Sequence, residues 1–212
     1  MSVSSSKESI LKKIRKALST STPLPFPQSE GNNSLYQPSQ QELEVQFAEA
    51  FTQLQGKFAF CLDYRELAEQ LSGLMREKSW TKLYCSETAL REQLAAHSFN
   101  PFSADTTIAA CDAAITTCES LVARTGTIVL SSATESGRTA SVYAPVHICI
   151  AHTSQLVYDV KDALQGVKEK YAGQLPSLIS FASGPSRTAD IEKTLVVGVH
   201  GPGEVYVFLV DQ

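Results

Sequence analysis

Short apolar runs alternate with segments of helical periodicity from residue 57 onward, and this alternation limits the folds open to the chain. The first two runs and the helical segments that follow them are 58–62, 64–78, 82–85 and 87–96. A helix between two strands brings the chain back to the end of the sheet at which the first strand began, so that the two strands lie parallel. The pattern therefore predicts a parallel β-sheet.

The C-terminal half contains more strands and fewer helices. One segment, 159–171, has clear helical periodicity, and β-branched apolar runs predict strands at 113–117, 127–131, 146–151, 178–182, 195–199 and 205–210. Because these strands follow one another closely, we expect some of them to pair antiparallel. The sum is an α/β fold with an open three-layer sheet that is mixed, mainly parallel with some antiparallel strands.

Two side chains are expected to cap helices where a strand gives way to a helix. Asp63 precedes the helical segment 64–78, and Ser86 precedes 87–96. An oxygen on a short side chain at this position accepts a hydrogen bond from backbone N–H groups in the first helical turn.

The N-terminal region is organised differently. Residues 7–18 have the apolar spacing of an amphipathic helix, whereas residues 19–38 hold four prolines and predict a linker. We therefore expect a helical arm with its linker, 1–38, and an α/β domain, 39–212, whose first helix, 40–54, docks on the sheet. The linker leaves the arm free to pack on a second subunit, so the sequence is compatible with a homo-oligomer.

Charge and hydropathy exclude some classes of partner. The formal net charge is −4, and 43% of the residues are hydrophobic. Such a composition builds a globular core, and an overall negative charge argues against a nucleic-acid partner. Residues 2–16 lack the continuous apolar run of a signal peptide or a membrane span. We expect a cytoplasmic protein.

The cysteines and histidines do not have the spacing of a metal site. The five cysteines, an odd number, lie in or beside predicted strands: Cys61, Cys85, Cys111, Cys118 and Cys149. No C-x-x-C pair occurs, which argues against both an iron–sulfur cluster and structural zinc. His147 and His152 are five residues apart on one strand and should face opposite sides. We expect buried thiols, no metal and no cofactor.

The segment 183–192 is the strongest candidate for an anion site. A strand ends at Ser183, and a short helix is expected to begin near Thr188. Backbone N–H groups, hydroxyls and a guanidinium would then meet at one place that suits a phosphate or carboxylate. The candidate contacts are Gly184, Ser186, Arg187, Thr188 and Asp190. The alternative is a purely structural cap in which acidic residues satisfy the helix dipole.

Three glycines in the segment 198–203 allow two interpretations. A nucleotide-binding loop must open a helix, but a β-rich run follows here, so a tight turn between strands is favoured. His200 and Gly201 remain candidate ligand contacts because turns at strand ends present side chains.

Two further polar turns, 124–127 and 131–138, flank a predicted strand. Thr125 and Gly126 in the first and Arg138 in the second are candidate ligand contacts, and Glu135 is, with His200, a candidate catalytic residue. The alternative is that these loops only turn. Neither G-x-S-x-G nor a Walker loop occurs, so neither serine-hydrolase nor P-loop chemistry is favoured.

Four segments of the chain together resemble the lactate utilization protein C family, whose domain is the LUD domain. They are Ser183-Gly-Pro-Ser-Arg-Thr-Ala-Asp-Ile-Glu192, Gly198-Val-His-Gly-Pro202, Ala123-Arg-Thr-Gly-Thr-Ile-Val-Leu130 and Tyr143-Ala-Pro-Val-His147. The family commonly has an acidic residue in place of Arg124, and this departure weakens any charge-based role there. The likeness runs from residue 58 to the C-terminus and leaves out the arm and linker.

The resemblance implies a fold similar to the sugar-phosphate isomerase and coenzyme A transferase group (NagB/RpiA/CoA transferase-like). It also implies a role in oxidising L-lactate to pyruvate with two iron–sulfur partners, one of which has its own copy of the domain. No catalytic residue carries over.

Two alternatives stay open beside this accessory role. One is a self-sufficient enzyme for phosphorylated or acyl-coenzyme A substrates with Glu135 as the nucleophile. The other is a carboxylate sensor that uses Arg187 and His200. The identity of the ligand, activity without partners, the oligomeric state and the role of the arm are not determined by the sequence.

Overall fold

A computed structural model describes residues 5–19, 41–189 and 195–211. The chain divides into two units, 1–38 and 39–212. The first unit contains helix α1 (Ser5–Ser19), which spans the segment 7–18 that was predicted to be helical. The predicted linker beyond Ser19 lies outside the described residues.

The second unit is built from alternating helices and strands. Its helices are α2 (Leu43–Gln53), α3 (Tyr64–Lys78), α4 (Thr88–Ala96), α5 (Ala140–Tyr143) and α6 (Val160–Lys170). Its strands are β1 (Lys57–Cys61), β2 (Leu83–Tyr84), β3 (Ala113–Thr116), β4 (Ser120–Val122), β5 (Thr127–Ser131), β6 (Val146–His152), β7 (Leu156–Val157), β8 (Ile179–Ala182), β9 (Arg187–Ala189), β10 (Leu195–Val197) and β11 (Glu204–Val210).

A five-stranded sheet forms the centre, in the order β1-β11-β6-β3-β2. All of its strand pairs are parallel, as the alternation of strands and helices predicts. The middle strands β6 and β11 are buried along almost their whole length. Continuous apolar strands of this kind are typical of a parallel sheet that is covered on both faces.

A second sheet has the order β7-β4-β5-β8. Strand β5 pairs antiparallel with both β4 and β8, so the predicted antiparallel pairing is confirmed. It occurs in a sheet separate from the central one.

The layers follow from three hydrophobic clusters. Helices α3 and α4 cover one face of the central sheet. On the other face lie α2 and the inner side of the second sheet, so the expected docking of α2 is confirmed. Helix α6 covers the outer side of the second sheet. The space between the two sheets is therefore an interior layer filled by apolar side chains.

One predicted cap is confirmed and the other is wrong. The Asp63 carboxylate accepts from the backbone N–H of Glu66 at 2.8 Å. The residue before α4 is Glu87, not Ser86, and the Ser86 hydroxyl is buried without a partner among the described residues. The N–H of Thr88 instead donates to Glu135 at 2.7 Å, so a distant loop caps this helix.

The helix expected near Thr188 is also wrong. Strand β9 pairs antiparallel with β10. Ser186 sets this extended course, because its N–H donates to Pro202 O at 2.9 Å and its carbonyl accepts from Gly198 N at 3.0 Å. Residues 187–189 therefore provide no helix N-terminus for the expected anion site, and residues 190–194 lie outside the described residues. The turn expected at 198–203 does connect two strands, β10 and β11.

The five cysteines are buried free thiols, as predicted. Burial raises the pKa values of Cys61 and Cys85 to about 12. No helix that the structure describes is both long enough and apolar enough to span a lipid bilayer.

Candidate functional site

A cleft of about 310 Å³ opens between the two sheets, at the end where β6 and β11 begin. Its walls come from β5, β6, β8, β11, α5 and two loops. The lining residues are Leu130, Ser141, Val142, His147, Ser180, Phe181, Ala182, Ser183, Gly184, Pro185, Ser186, His200, Gly201, Pro202 and Val205. A concave site with a mainly apolar wall and a few polar groups is the usual form of a small-ligand pocket.

Two glycines allow the loops of the cleft to approach their neighbours. Gly184 has φ +81°, and a Cβ atom there would lie 2.5 Å from the carbonyl oxygen of Leu54. A Cβ atom on Gly201 would lie 2.9 Å from that of Ser186. Only glycine fits such positions without displacement of a neighbour. The two loops are therefore held together at the mouth of the cleft.

His147 is the most buried polar group of the cleft, with 1% of its surface exposed. Its Nε2 lies 2.9 Å from the hydroxyl of Thr116, which also lies 2.9 Å from the carbonyl oxygen of Thr117. A hydroxyl has one proton to donate. The direction of the bond between His147 and Thr116 depends on the ring tautomer. With the Thr116 proton on the carbonyl of Thr117, Nε2 carries the ring proton and donates it to Thr116.

The other ring nitrogen of His147, Nδ1, is then an acceptor. No described residue forms a hydrogen bond with it. Burial lowers the pKa of His147 to about 4, so the ring is neutral near pH 7. The cleft thus contains one uncharged imidazole with an unused acceptor.

A chain of hydroxyl groups leads from the first polar turn to the cleft. The hydroxyl of buried Thr127 lies 2.7 Å from that of Thr125 and 2.7 Å from that of Ser183. Thr125 therefore reaches the cleft only through Thr127. Gly126 has φ +56°, and a Cβ atom there would lie 2.5 Å from the Phe51 nitrogen, so its role is the packing of this turn against α2.

Four of the predicted site residues meet at the cleft: Gly184, Ser186, His200 and Gly201. Two others are engaged elsewhere. The exposed Arg187 donates from Nη2 to the carbonyl oxygen of Leu54, at the end of α2. Arg138 donates from Nη2 to the Ser177 hydroxyl at 2.5 Å.

The remaining predicted residues are not seen in the cleft. Glu135, the expected nucleophile, caps α4 and is not among the lining residues. The Thr188 side chain and all of Asp190 lie outside the described residues.

The described lining of the cleft contains no Arg, Lys, Asp or Glu. This differs from the expectation that Arg187 would supply positive charge. The hydroxyls of Ser141 and Ser186 and the backbone N–H groups of Gly184 and Gly201 make no hydrogen bond to a described residue. Such neutral donors suit a singly charged or neutral ligand better than a polyphosphate.

His147 was not predicted as a site residue. A polar residue inside the apolar run 146–151 was the available signal, but the sequence does not show that this strand borders an opening between two sheets.

A second polar cluster also went unpredicted, and it lies at the carboxyl ends of β2 and β3. The buried Glu87 carboxylate accepts from the Thr117 N–H at 3.1 Å, the Thr117 hydroxyl at 2.6 Å and the Ser136 hydroxyl at 2.5 Å. It ties the loop after β5 to the start of α4. No group of three His, Cys, Asp or Glu side chains in the described part of the chain is placed to hold a metal ion.

Comparison with known proteins identifies relatives of this chain. It is 41% identical over 101 residues to lactate utilization protein C of Shouchella clausii, which covers 47% of this chain and 44% of that protein. It is 36% identical over 127 residues to lactate utilization protein C of Geobacillus kaustophilus, with coverage of 57% and 53%. A Neisseria meningitidis protein, NMB1437, is 40% identical over 89 residues, with coverage of 42% and 38%. The matches thus span between about two fifths and one half of these relatives.

A solved structure shares the fold. It is a DUF162 family protein from Deinococcus radiodurans, with a TM-score of 0.59 and 20% sequence identity, covering 82% of this chain and 99% of that one. The model of the LUD domain family matches residues 45–210. This range contains the central sheet, the second sheet and the cleft, and the chain therefore belongs to the LUD domain family.

Proposed function

We propose that this protein is the component without a redox centre of an L-lactate-oxidising iron–sulfur system, and that its cleft binds a small carboxylate. Two relatives named lactate utilization protein C support the first part. In this proposal the domain 39–212 works in the cytoplasm beside iron–sulfur subunits, and the arm is available for a homo-oligomer.

One observation carries the proposal for the cleft. Segments 183–186 and 200–202 lie within the motifs that resemble the family, and both line the same opening. They are joined by the hydrogen bond from Ser186 N to Pro202 O. Two separate family motifs that fold into one wall are the expected result of a shared site.

An oxidation assay tests the accessory role. L-lactate oxidation is followed with a dye acceptor for this protein alone, for the two iron–sulfur subunits of the same cell alone, and for the three together. We expect turnover only with all three proteins. Turnover by this protein alone would show that it is an enzyme in its own right.

A melting-temperature screen tests the ligand, because a ligand that binds only the folded state raises the melting temperature. We expect a shift with small carboxylates, lost in Ser186→Leu, whose larger side chain obstructs the cleft. Arg187→Ala is the control, since Arg187 is not in the lining. If the shift is lost in Arg187→Ala instead, the Arg187 guanidinium contacts the ligand, and the proposed site in the cleft is wrong.

The alternative of an acyl-transfer enzyme has less support. Its nucleophile, Glu135, accepts from the Thr88 N–H and is not in the described lining of the cleft, which also lacks a cation for a phosphorylated or coenzyme A ligand. Larger melting shifts with such ligands than with carboxylates would favour it.

A further inference from the structure

We infer that the cleft distinguishes a 2-hydroxycarboxylate from the corresponding 2-oxocarboxylate, and that His147 makes this distinction by accepting a hydrogen bond from the ligand hydroxyl at Nδ1. The inference rests on the proposed function for its carboxylate ligand and adds a specificity-determining residue. It commits the cleft to the reduced acid rather than to its oxidation product.

The first step is the direction of the hydrogen bonds around His147. Thr116 donates to a carbonyl and accepts from Nε2, so Thr116 holds the ring in the tautomer with a bare Nδ1. The ring lines the cleft, and no described residue satisfies Nδ1. Nδ1 is not among the buried atoms that lack a partner, so it is accessible from the cleft. A ligand that displaces water from the ring leaves this acceptor unsatisfied unless the ligand itself brings a donor.

The second step is the chemistry of the two acids. A 2-hydroxyl group donates a proton, whereas a 2-oxo group only accepts. Opposite Nδ1 the oxo compound places two lone pairs against each other with no proton between them. Because His147 is 1% exposed, a second proton on the ring would bury a positive charge at a high cost in free energy. The ring therefore does not become a donor to the oxo group.

The third step is the remainder of the ligand. The carboxylate needs donors, which the hydroxyls of Ser141 and Ser186 and the backbone N–H groups of Gly184 and Gly201 provide. The apolar lining residues Leu130 and Val205 suit a short alkyl group. These features are common to both acids, so the distinction falls on His147.

Calorimetric titration of the full chain with L-lactate and with pyruvate tests the inference. We expect lactate to bind about tenfold or more tightly than pyruvate, the effect of one unmade hydrogen bond to a buried acceptor. Equal affinities, or tighter binding of pyruvate, would overturn the inference and leave the proposed function intact. If neither acid binds, the carboxylate ligand of the proposed function fails together with it.

Two variants assign the distinction to His147. In His147→Gln the amide can keep a hydrogen bond to Thr116 from the position of Nε2 but offers no acceptor at the position of Nδ1. We expect the difference between the two acids to disappear while pyruvate binding persists. A variant that still prefers lactate would contradict the assignment.

Thr116→Val is the second variant and does not alter the ring itself. It removes the acceptor that fixes the tautomer, so the preference for lactate should fall. Nitrogen-15 NMR of the imidazole reads the protonation of each ring nitrogen directly. If Nδ1 carries a proton in the unaltered protein, the inference is wrong, whatever the measured affinities for lactate and pyruvate are.

Discussion

At the scale of the residue, Gly184 shows how strongly the mouth of the cleft depends on one backbone conformation. Its φ of +81° is unfavourable for any side chain, and a Cβ atom would lie 2.5 Å from the carbonyl oxygen of Leu54. We expect Gly184→Ala to lower the free energy of unfolding by about 1–3 kcal/mol, measured in urea. Lactate binding should weaken as well, because the loop must move.

Gly166 is the matched control for this substitution. It lies inside α6, and a Cβ atom there would meet nothing within 4 Å. Since alanine favours the helix, Gly166→Ala should raise the stability by about 0.5–1 kcal/mol. Similar losses in the two variants would show that strain at Gly184 is not the cause.

Glu87 is the second residue on which the fold depends. Its buried carboxylate accepts hydrogen bonds from Thr117 and Ser136, whereas Glu135 is exposed and accepts from Thr88. We expect Glu87→Gln to lower the free energy of unfolding by about 1–3 kcal/mol, since an amide cannot accept at both positions. Glu135→Gln should cost less than about 1 kcal/mol in the same urea titration. The reverse order would be inconsistent with this account.

At the scale of the element, Glu204 connects the first residues of β1 and β11 with the last residue of α3. Its carboxylate pairs with Lys57, with Lys78 at 3.0 Å and with the Tyr206 hydroxyl at 2.8 Å. Burial raises the pKa of Glu204, but the hydrogen bonds outweigh burial and lower this pKa from 4.5 to about 2.

The lowered pKa predicts how stability depends on pH. Glu204 binds a proton more weakly in the folded chain, so its stabilisation is present above pH 4.5 and is lost as the pH falls toward about 2. In Glu204→Gln the free energy of unfolding at pH 7 should fall by about 0.5–1 kcal/mol, the range of partly exposed ion pairs. Its loss of stability between pH 5 and 2 should be shallower than that of the unaltered chain.

Glu92→Gln is the control for the pH series. Glu92 is exposed on α4 and forms no ion pair with a described residue. Its pH profile should follow that of the unaltered chain. An unchanged profile in Glu204→Gln would remove Glu204 as the source of the acid sensitivity.

The elements also show what sequence can and cannot predict. Helix α3 was predicted with its bounds 64–78, because its apolar spacing and its Asp63 cap are local. Strand β9 was mistaken for a helix, since its course depends on bonds from Ser186 to the distant Pro202 and Gly198. The cap of α4 failed for the same reason, because Glu135 is far away in sequence. Contacts across the chain are not visible in local periodicity.

In the candidate site, too, the residues that were predicted are those with a local signal in the sequence, and the residues that were missed or misplaced depend on distant contacts. Gly184, Ser186, His200 and Gly201 were identified because glycine-rich turns at strand ends are visible in sequence, and they do meet at the cleft. Arg187 was favoured for its charge, but nothing in the sequence indicates its bond to Leu54. His147 was missed because its position in the lining of the cleft depends on a second sheet that faces it.

At the scale of the whole molecule, the domain 39–212 contains hydrophobic clusters of its own. The described members of these clusters cover both faces of the central sheet and the outer face of the second sheet, and all of them belong to the unit 39–212. Such a domain has enough core to fold alone. We expect a chain that starts at Ser39 to unfold cooperatively, with a melting temperature within a few degrees of the full chain.

The arm should instead affect association. On α1 the side chains of Ile10, Leu11 and Ile14 are 57%, 39% and 48% exposed. A single helix of this length is marginally stable in water, so its apolar stripe needs a partner surface.

Sedimentation of the full chain and of the chain from Ser39 tests the role of the arm. We expect a concentration-dependent oligomer only for the chain that contains the arm. Ile14→Glu in the full chain should act like the truncation, while Lys12→Glu, which changes charge and not the stripe, should not. Identical sedimentation of the two chain lengths would exclude the arm from self-association.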